Sequence, residues 1–167
     1  MIQRIQSLFL AVSTLLIILL LVLPIGVIYT AADVNGISMM YNYNAFVIKE
    51  AIPDGKVVLS CAYIGILLIM SALLSFATIF LYKNRFKQIR WTTAAMYLYI
   101  ITIVMMTFIF PELIFKKALG ASNKPDLIYN HQWLLIILIM STALLLFFAK
   151  KFIIKDEKKV READRLR

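Results

Sequence analysis

Few side chains in this sequence have the chemistry to react with a substrate or to hold a metal. The chain contains one cysteine, Cys61, and one histidine, His131, which lie far apart in the sequence. Zinc needs three or four Cys, His or carboxylate ligands in register. The chain also lacks a Gly-rich phosphate loop and a Gly-x-Ser-x-Gly nucleophile elbow. We therefore expect no catalytic residues, no metal ligands and no cofactor, and hence a protein that is not an enzyme.

The densest polar group on the chain is Asn130-His131-Gln132, with Asp126 nearby. Because histidine titrates near neutral pH, this group is the candidate site for a pH-sensitive or ligand-binding role, or for an intramembrane lipid-modifying enzyme. The alternative, which we favour, is that the group caps the start of a helix at the water interface.

All acidic and basic residues lie outside four long stretches, residues 5–32, 57–82, 91–111 and 127–149. A helix of about 20 apolar residues crosses ~30 Å of hydrocarbon. The mean hydropathy of +0.87 and the 62% share of hydrophobic residues exclude a soluble enzyme, a nucleic-acid-binding domain and a disulfide scaffold. The sequence predicts an all-α membrane protein, a four-transmembrane-helix bundle.

Prolines, charges and boundary aromatics set the predicted limits of the helices. Residues 1–149 form one transmembrane domain, with spans at about residues 8–29, 58–82, 91–110 and 133–149. The charged tail, residues 150–167, is expected to continue the fourth span as a helix, because it contains no Gly or Pro and places Glu157 and Arg161 at a favourable i,i+4 spacing.

The segment between the first two spans has the pattern of a strand. Residues 39–46 alternate with a period of two and include Tyr41 and Tyr43, which predicts a short strand. Pro53-Asp54-Gly55 is a strong turn signal. We therefore expect a small extracytoplasmic cap, with a short β-hairpin, built from loops 33–56 and 112–126.

Basic residues are distributed unequally between the two sides of the predicted bundle. Of the 18 Lys and Arg, 13 lie in the N-terminal segment, in residues 83–90 and in the tail, against five in the two outer loops. The positive-inside rule then places both termini in the cytoplasm. The net charge of +9 is accounted for by this orientation and by anionic lipid at the cytoplasmic face, so no nucleic acid is expected as a partner.

Small residues mark a packing face on the second span: Cys61, Gly65, Ala72 and Ser75. Such residues let helix backbones approach closely in a membrane. We expect this stripe to contact another helix of the same bundle, and the alternative is a dimerisation face.

The predicted cytoplasmic surface carries the side chains expected to contact a partner protein or lipid. They are Arg4, Lys83, Arg85, Lys87, Arg90, Arg161, Asp164 and Arg165. Three interpretations of the tail stay open at this point: it lies along an anionic membrane surface, it docks on a partner, or it only sets topology.

Both ends of the chain carry motifs that resemble a known group of sequences. The chain begins Met-Ile-Gln-Arg-Ile-Gln, and residues 156–167 follow the pattern DE-x-x-V-R-x-x-DRLR. In this combination the chain resembles, over its full length, an uncharacterised family of four-span inner-membrane proteins from Bacteroidota. The resemblance implies location in the cytoplasmic membrane of a Gram-negative cell. It implies no activity, ligand or catalytic residue, because the function of that family is unknown.

Together these observations favour a non-enzymatic accessory or scaffolding subunit of an inner-membrane complex, bound to another membrane protein or a cytoplasmic protein. The first alternative is a small oligomeric channel or transporter, for which Thr102 and Ser141 are the polar candidates. The second is the lipid-modifying enzyme with the Asn130-His131-Gln132 group.

Overall fold

The computed structural model describes residues 2–29, 40–52, 55–115, 126–129 and 132–165. Four helices dominate these residues: α1 Ile2–Val22, α2 Ala62–Phe80, α3 Arg85–Val104 and α4 Gln132–Arg165. A 3₁₀ turn, Leu81–Lys83, connects α2 to α3, and α3 continues into a wider π-helical segment, Met105–Phe115.

The four helices form a ring in which each packs mainly against two others. α1 contacts α2 and α4, and α3 contacts the same two helices. Buried aliphatic side chains such as Leu10, Leu68 and Leu146 fill the interior. The outer faces are apolar as well: Leu15 is 65% exposed and Phe108 68%, as expected for side chains that face lipid. All four helices are long and apolar enough to cross a membrane, and the protein is a multi-pass membrane protein.

A five-stranded antiparallel sheet lies at one end of this bundle, in the order β4-β3-β2-β1-β5. Its strands are β1 Gly26–Tyr29, β2 Met40–Tyr43, β3 Val47–Glu50, β4 Val57–Ser60 and β5 Asp126–Tyr129. Because β1 follows α1 while β4 and β5 precede α2 and α4, the sheet lies where α1 ends and where α2 and α4 begin. We call this the sheet end. The predicted strand in residues 39–46 is present as β2, but the sheet is much larger than a hairpin. The expectation of an all-α fold was therefore wrong, and the described chain is mostly helical with a small sheet.

The first two helices are shorter than the predicted spans. The predicted end of the first span at residue 29 and the predicted start of the second span at residue 58 were both wrong. Gly26–Tyr29 and Val57–Ser60 are strands, although they lie inside the predicted spans 8–29 and 58–82. Pro24 lacks an N–H group and disfavours the helical conformation of the residue before it, which ends α1 at Val22. The β-branched and aromatic residues after it suit pairing with β2 instead.

The third helix is longer than predicted at both ends. It begins at Arg85, so most of the predicted 83–90 loop is helical, and it continues past the predicted end at residue 110 to Phe115. Pro111 cannot donate a helical hydrogen bond, and membrane helices accommodate proline through local π-helical adjustment. The wide segment Met105–Phe115 is that adjustment.

The charged tail is helical. α4 runs without a break from Gln132 to Arg165, so transmembrane span and tail are one continuous element. The end of the bundle opposite the sheet contains the first turns of α1, residues 85–90 of α3 and residues 150–162 of α4, and we call it the charged end.

Candidate functional site

The tight connection between α2 and α3 positions the first residues of the charged end. Gln88 is buried and its Nε2 donates to the carbonyl oxygen of Thr78 on α2 at 3.4 Å. This side chain holds the two helices together directly after the turn. As a result, Arg85 and Phe86 at the start of α3 reach the tail portion of α4.

Arg85 forms the main ionic contact between α3 and α4. Its Nη1 lies 3.0 Å from Oδ2 of Asp156 and also donates to the backbone oxygen of Asp156 at 3.1 Å. The two side chains are 27% and 15% exposed, so both charges are partly removed from water. The guanidinium therefore offsets the charge of Asp156 at this point of the tail.

A second contact lies further along the tail. Nη2 and Nε of Arg161 lie 2.7 and 3.1 Å from Oε1 of Glu157, one helical turn before it. The Arg161 Cζ atom also lies 4.7 Å from the centre of the Phe86 ring on α3, within cation–π range. Arg161, predicted to contact a partner, thus contacts its own chain on α3 and α4.

The opposite side of α4 is held by α1. The Gln6 side chain is buried, and its Nε2 donates to the backbone oxygen of Phe152 at 3.1 Å. The rings of Phe9 and Phe152 stack with centroids 5.5 Å apart, and Ile153 is buried next to them. α1 and α3 therefore hold the base of the tail from two sides and fix its direction.

The remaining predicted contact residues are distributed over the same end. Lys87 and Arg90 are exposed on α3. The backbones of Arg4, Lys83, Asp164 and Arg165 lie in α1, in the 3₁₀ turn and in the last turn of α4. The side chains of these four residues lie outside the described part of the structure.

The predicted stripe of small residues begins at Cys61, directly before α2, and continues along that helix. It contacts two different parts of the molecule. A Cβ atom added to Gly65 would lie 2.3 Å from Cε1 of Phe46, so Gly65 accommodates an aromatic ring from the turn between β2 and β3. The Sγ atom of Cys61 donates to the backbone oxygen of Asn44 at 3.3 Å, and burial raises the pKa of this thiol to about 11. These two residues hold the sheet rather than a neighbouring helix.

The other two small residues of the stripe pack inside the bundle. The Ser75 Oγ lies 3.1 Å from the Oγ of Ser13 on α1, and both side chains are buried. Ala72 is also buried and lies in a groove between α1 and α2. This half of the stripe contacts the neighbouring helix α1.

The polar residues named for the alternative functions have local partners or lie outside the described residues. The Thr102 hydroxyl donates to the Leu98 oxygen at 2.7 Å, and the Ser141 hydroxyl donates to the Leu138 oxygen at 3.1 Å. Each bond stays within its own helix. Asn130 and His131 lie outside the described residues, and α4 begins at Gln132, whose side chain is not described.

Sequence reasoning missed four residues that organise the charged end: Gln6, Phe86, Gln88 and Asp156. A signal for Gln88 was available, because it begins a buried stripe at i+3 and i+4 spacing along α3, Gln88, Thr92, Ala95, Tyr99 and Thr102. Asp156 could not be found in this way, because its partner Arg85 is 71 positions away. Its charge alone gave no indication of which helix it would contact.

In the part of the chain that the structure describes, no group of three His, Cys, Asp or Glu residues could hold a metal ion. The charged end contains the ion pairs Arg85–Asp156 and Arg161–Glu157 together with exposed basic side chains. No curated protein sequence matches the chain. The family model described as "Domain of unknown function (DUF4293)" matches residues 2–166, and the chain belongs to that family.

Proposed function

We propose that the protein is a non-enzymatic accessory or scaffolding subunit of a complex in the inner membrane of a Gram-negative bacterium. In this proposal both termini lie in the cytoplasm, and the charged end of α4 is the docking element. The unequal distribution of basic residues, 13 of 18 in the N-terminal segment, residues 83–90 and the tail, supports the orientation. The end motifs that resemble a Bacteroidota family support the host.

The observation that carries this proposal is the length of α4. Its 34 residues make a helix about 50 Å long at about 1.5 Å per residue. The hydrocarbon layer is only ~30 Å thick. A substantial charged part of α4 therefore extends beyond the hydrocarbon as a continuation of a transmembrane helix.

The base of this extension is held by contacts from two neighbouring helices. Gln6 and Phe9 of α1 contact Phe152, and Arg85 of α3 contacts Asp156. A helix that only set the topology would not need these contacts from two neighbours. Their presence supports a tail that is positioned for recognition by a cytoplasmic protein.

The far part of the extension exposes charges of both signs beside an apolar side chain. Lys158 and Glu162 are exposed, and Val160 is 39% exposed between them. A partner with complementary charges and a small apolar contact fits this surface. Charge complementarity of this kind mainly determines specificity and the association rate.

The test is affinity purification from the native host in mild detergent, followed by mass spectrometry. The full chain is compared with a version that ends at Arg161, which keeps every contact between the tail and the bundle described above. A truncation at Lys151 would remove Phe152 and Asp156 and disturb the bundle itself. We expect a defined set of proteins to co-purify with the full chain and to be lost on truncation.

A matched control is the double substitution Lys49→Gln and Lys56→Gln at exposed positions of the sheet end. This control should retain the co-purifying proteins. Recovery of the protein alone from both the full and the truncated chain would contradict the proposal.

A further inference from the structure

An apolar groove runs along the outer surface between α1 and α4. It has a volume of about 520 Å³ and is lined by Phe9, Ser141, Leu144, Leu145, Phe148 and Phe152. The one hydroxyl among these side chains, that of Ser141, already donates to the Leu138 oxygen. The groove therefore presents a surface suited to a hydrocarbon chain.

A smaller pocket of about 160 Å³ lies at the charged end of the same helix pair. Its lining residues are Ile5, Phe152, Lys155, Asp156 and Lys159. Asp156 is already paired with Arg85 at 3.0 Å. Within the described residues no acidic group pairs with Lys155 or Lys159, so the pocket carries an uncompensated positive charge.

The groove and the pocket lie next to each other and share one lining residue. Phe152 lines both, Ile5 and Phe9 lie one turn apart on α1, and the α4 residues of both cavities follow one another at helical spacing. Residues 141–152 of α4 span about 16 Å along the helix axis. This length is close to that of one leaflet, which is half of the ~30 Å hydrocarbon layer.

We propose that the groove and the pocket together bind one anionic phospholipid. Its acyl chain lies in the groove between α1 and α4, and its phosphate is held by Lys155 and Lys159. The ammonium groups are close to the surface depth at which headgroups lie, because long lysine side chains extend towards the interface. The inference concerns a lipid site and does not depend on a protein partner for the tail.

A second groove on the molecule provides an internal comparison. The groove between α1 and α2 has a volume of about 370 Å³ and an apolar lining that includes Thr14, Ile69, Ala72 and Phe76. No basic residue lines it. This second groove suits the acyl chain of any lipid. The α1–α4 site also favours a lipid whose headgroup is negatively charged, because Lys155 and Lys159 line its pocket.

The experiment is native mass spectrometry of the purified full-length protein in detergent micelles that contain phosphatidylglycerol and phosphatidylcholine with identical acyl chains. We expect one molecule of phosphatidylglycerol to be retained in preference to phosphatidylcholine. The double substitution Lys155→Gln and Lys159→Gln should weaken this retention about tenfold, because each basic side chain contributes to the attraction of anionic lipid.

The matched control is Lys151→Gln with Lys158→Gln, which removes the same charge from exposed positions of the same helix outside the pocket. The control should keep the retention close to that of the unchanged protein. A groove variant, Leu145→Trp, should also lower retention by filling the space for the acyl chain. Equal retention of both lipids, or equal losses in the pocket and control variants, would overturn the proposal.

Discussion

Different interactions hold the elements together at the two ends of the bundle. At the sheet end, the buried Tyr43 ring stacks on Phe110 with centroids 5.2 Å apart, and its hydroxyl donates to the Met106 oxygen at 3.2 Å. The Phe46 ring packs against Gly65. At the charged end, the described contacts between α3 and the tail are the Arg85–Asp156 ion pair and the stacking of Arg161 on Phe86.

This difference implies that the contacts at the sheet end have a structural role and that the ionic contacts at the charged end can change. Buried aromatic packing and hydrogen bonds are insensitive to salt and costly to disturb. Ion pairs near the surface contribute little free energy and are screened by salt. The contacts of Arg85 and Arg161 at the charged end can therefore be exchanged for those of a lipid or a protein, while the contacts of Gln6 and Phe9 with Phe152 keep the base of the tail in place.

The largest expected effect comes from overpacking the sheet end with Gly65→Leu. Even a Cβ atom at this position would lie 2.3 Å from the Phe46 ring, so the larger side chain must displace it. We expect the free energy of unfolding to fall by about 3 kcal/mol, measured by denaturation in detergent.

The control for this substitution is Ile66→Leu at the neighbouring exposed position, which should be close to neutral. Combining Gly65→Leu with Phe46→Ala should restore part of the loss, because the second change removes the clashing ring. Unchanged stability of Gly65→Leu alone would contradict the close packing of Phe46 on α2.

Removing the buried hydroxyl at the sheet end should have a smaller effect. Tyr43→Phe takes away the donor to the Met106 oxygen of the π-helical segment. We expect a loss of about 1 kcal/mol that is the same at low and high salt. Tyr97→Phe at an exposed position on α3 is the control, and an equal effect of both changes would contradict this role of Tyr43.

Breaking the ion pair at the charged end should have an effect that depends on salt. Arg85→Gln removes the partner of Asp156, and we expect a loss of at most about 1 kcal/mol at low salt that diminishes at high salt. The freed Asp156 charge should also lower phosphatidylglycerol retention at the pocket that it lines. A loss independent of salt, with lipid retention unchanged, would contradict the account of this end.

The smallest effect is expected at Arg161, whose side chain is 58% exposed. Arg161→Gln removes the i,i+4 pair with Glu157 and the stacking on Phe86. We expect only a few tenths of a kcal/mol. Amide hydrogen exchange should speed up in residues 157–165 and stay unchanged in α2, and faster exchange throughout the bundle would contradict a local role.

The helices were predictable from the sequence because membrane spans need long uncharged stretches, and such stretches are rare by chance. The strands Gly26–Tyr29 and Val57–Ser60 were hidden for the same reason. Their apolar residues continue directly into α1 and α2, and a short apolar run fits a strand or a buried helix equally well. Only pairing with β2 and β3 distinguishes the two possibilities.

The candidate site was only partly predictable. The basic character of the charged end followed from composition, but its contacts depend on pairs that are distant in sequence, such as Gln6 with Phe152 and Arg85 with Asp156. The proposed lipid groove was equally hard to predict, because it brings Phe9 of α1 next to residues of α4 near the other end of the chain. No local pattern in either helix shows which residues will face each other.

The most direct test of the proposed function is the orientation of the two ends, because docking of a cytoplasmic protein requires the charged end to lie in the cytoplasm. Single cysteines are introduced at exposed positions, Lys49→Cys in β3 and Lys158→Cys in α4. Spheroplasts are then treated with a membrane-impermeant maleimide. The unmodified chain gives the background, since its Cys61 is buried.

We expect the cysteine at position 49 to be labelled in intact spheroplasts, and the cysteine at position 158 to be labelled only after the membrane is permeabilised. Labelling of position 158 and protection of position 49 in intact spheroplasts would contradict the proposed orientation.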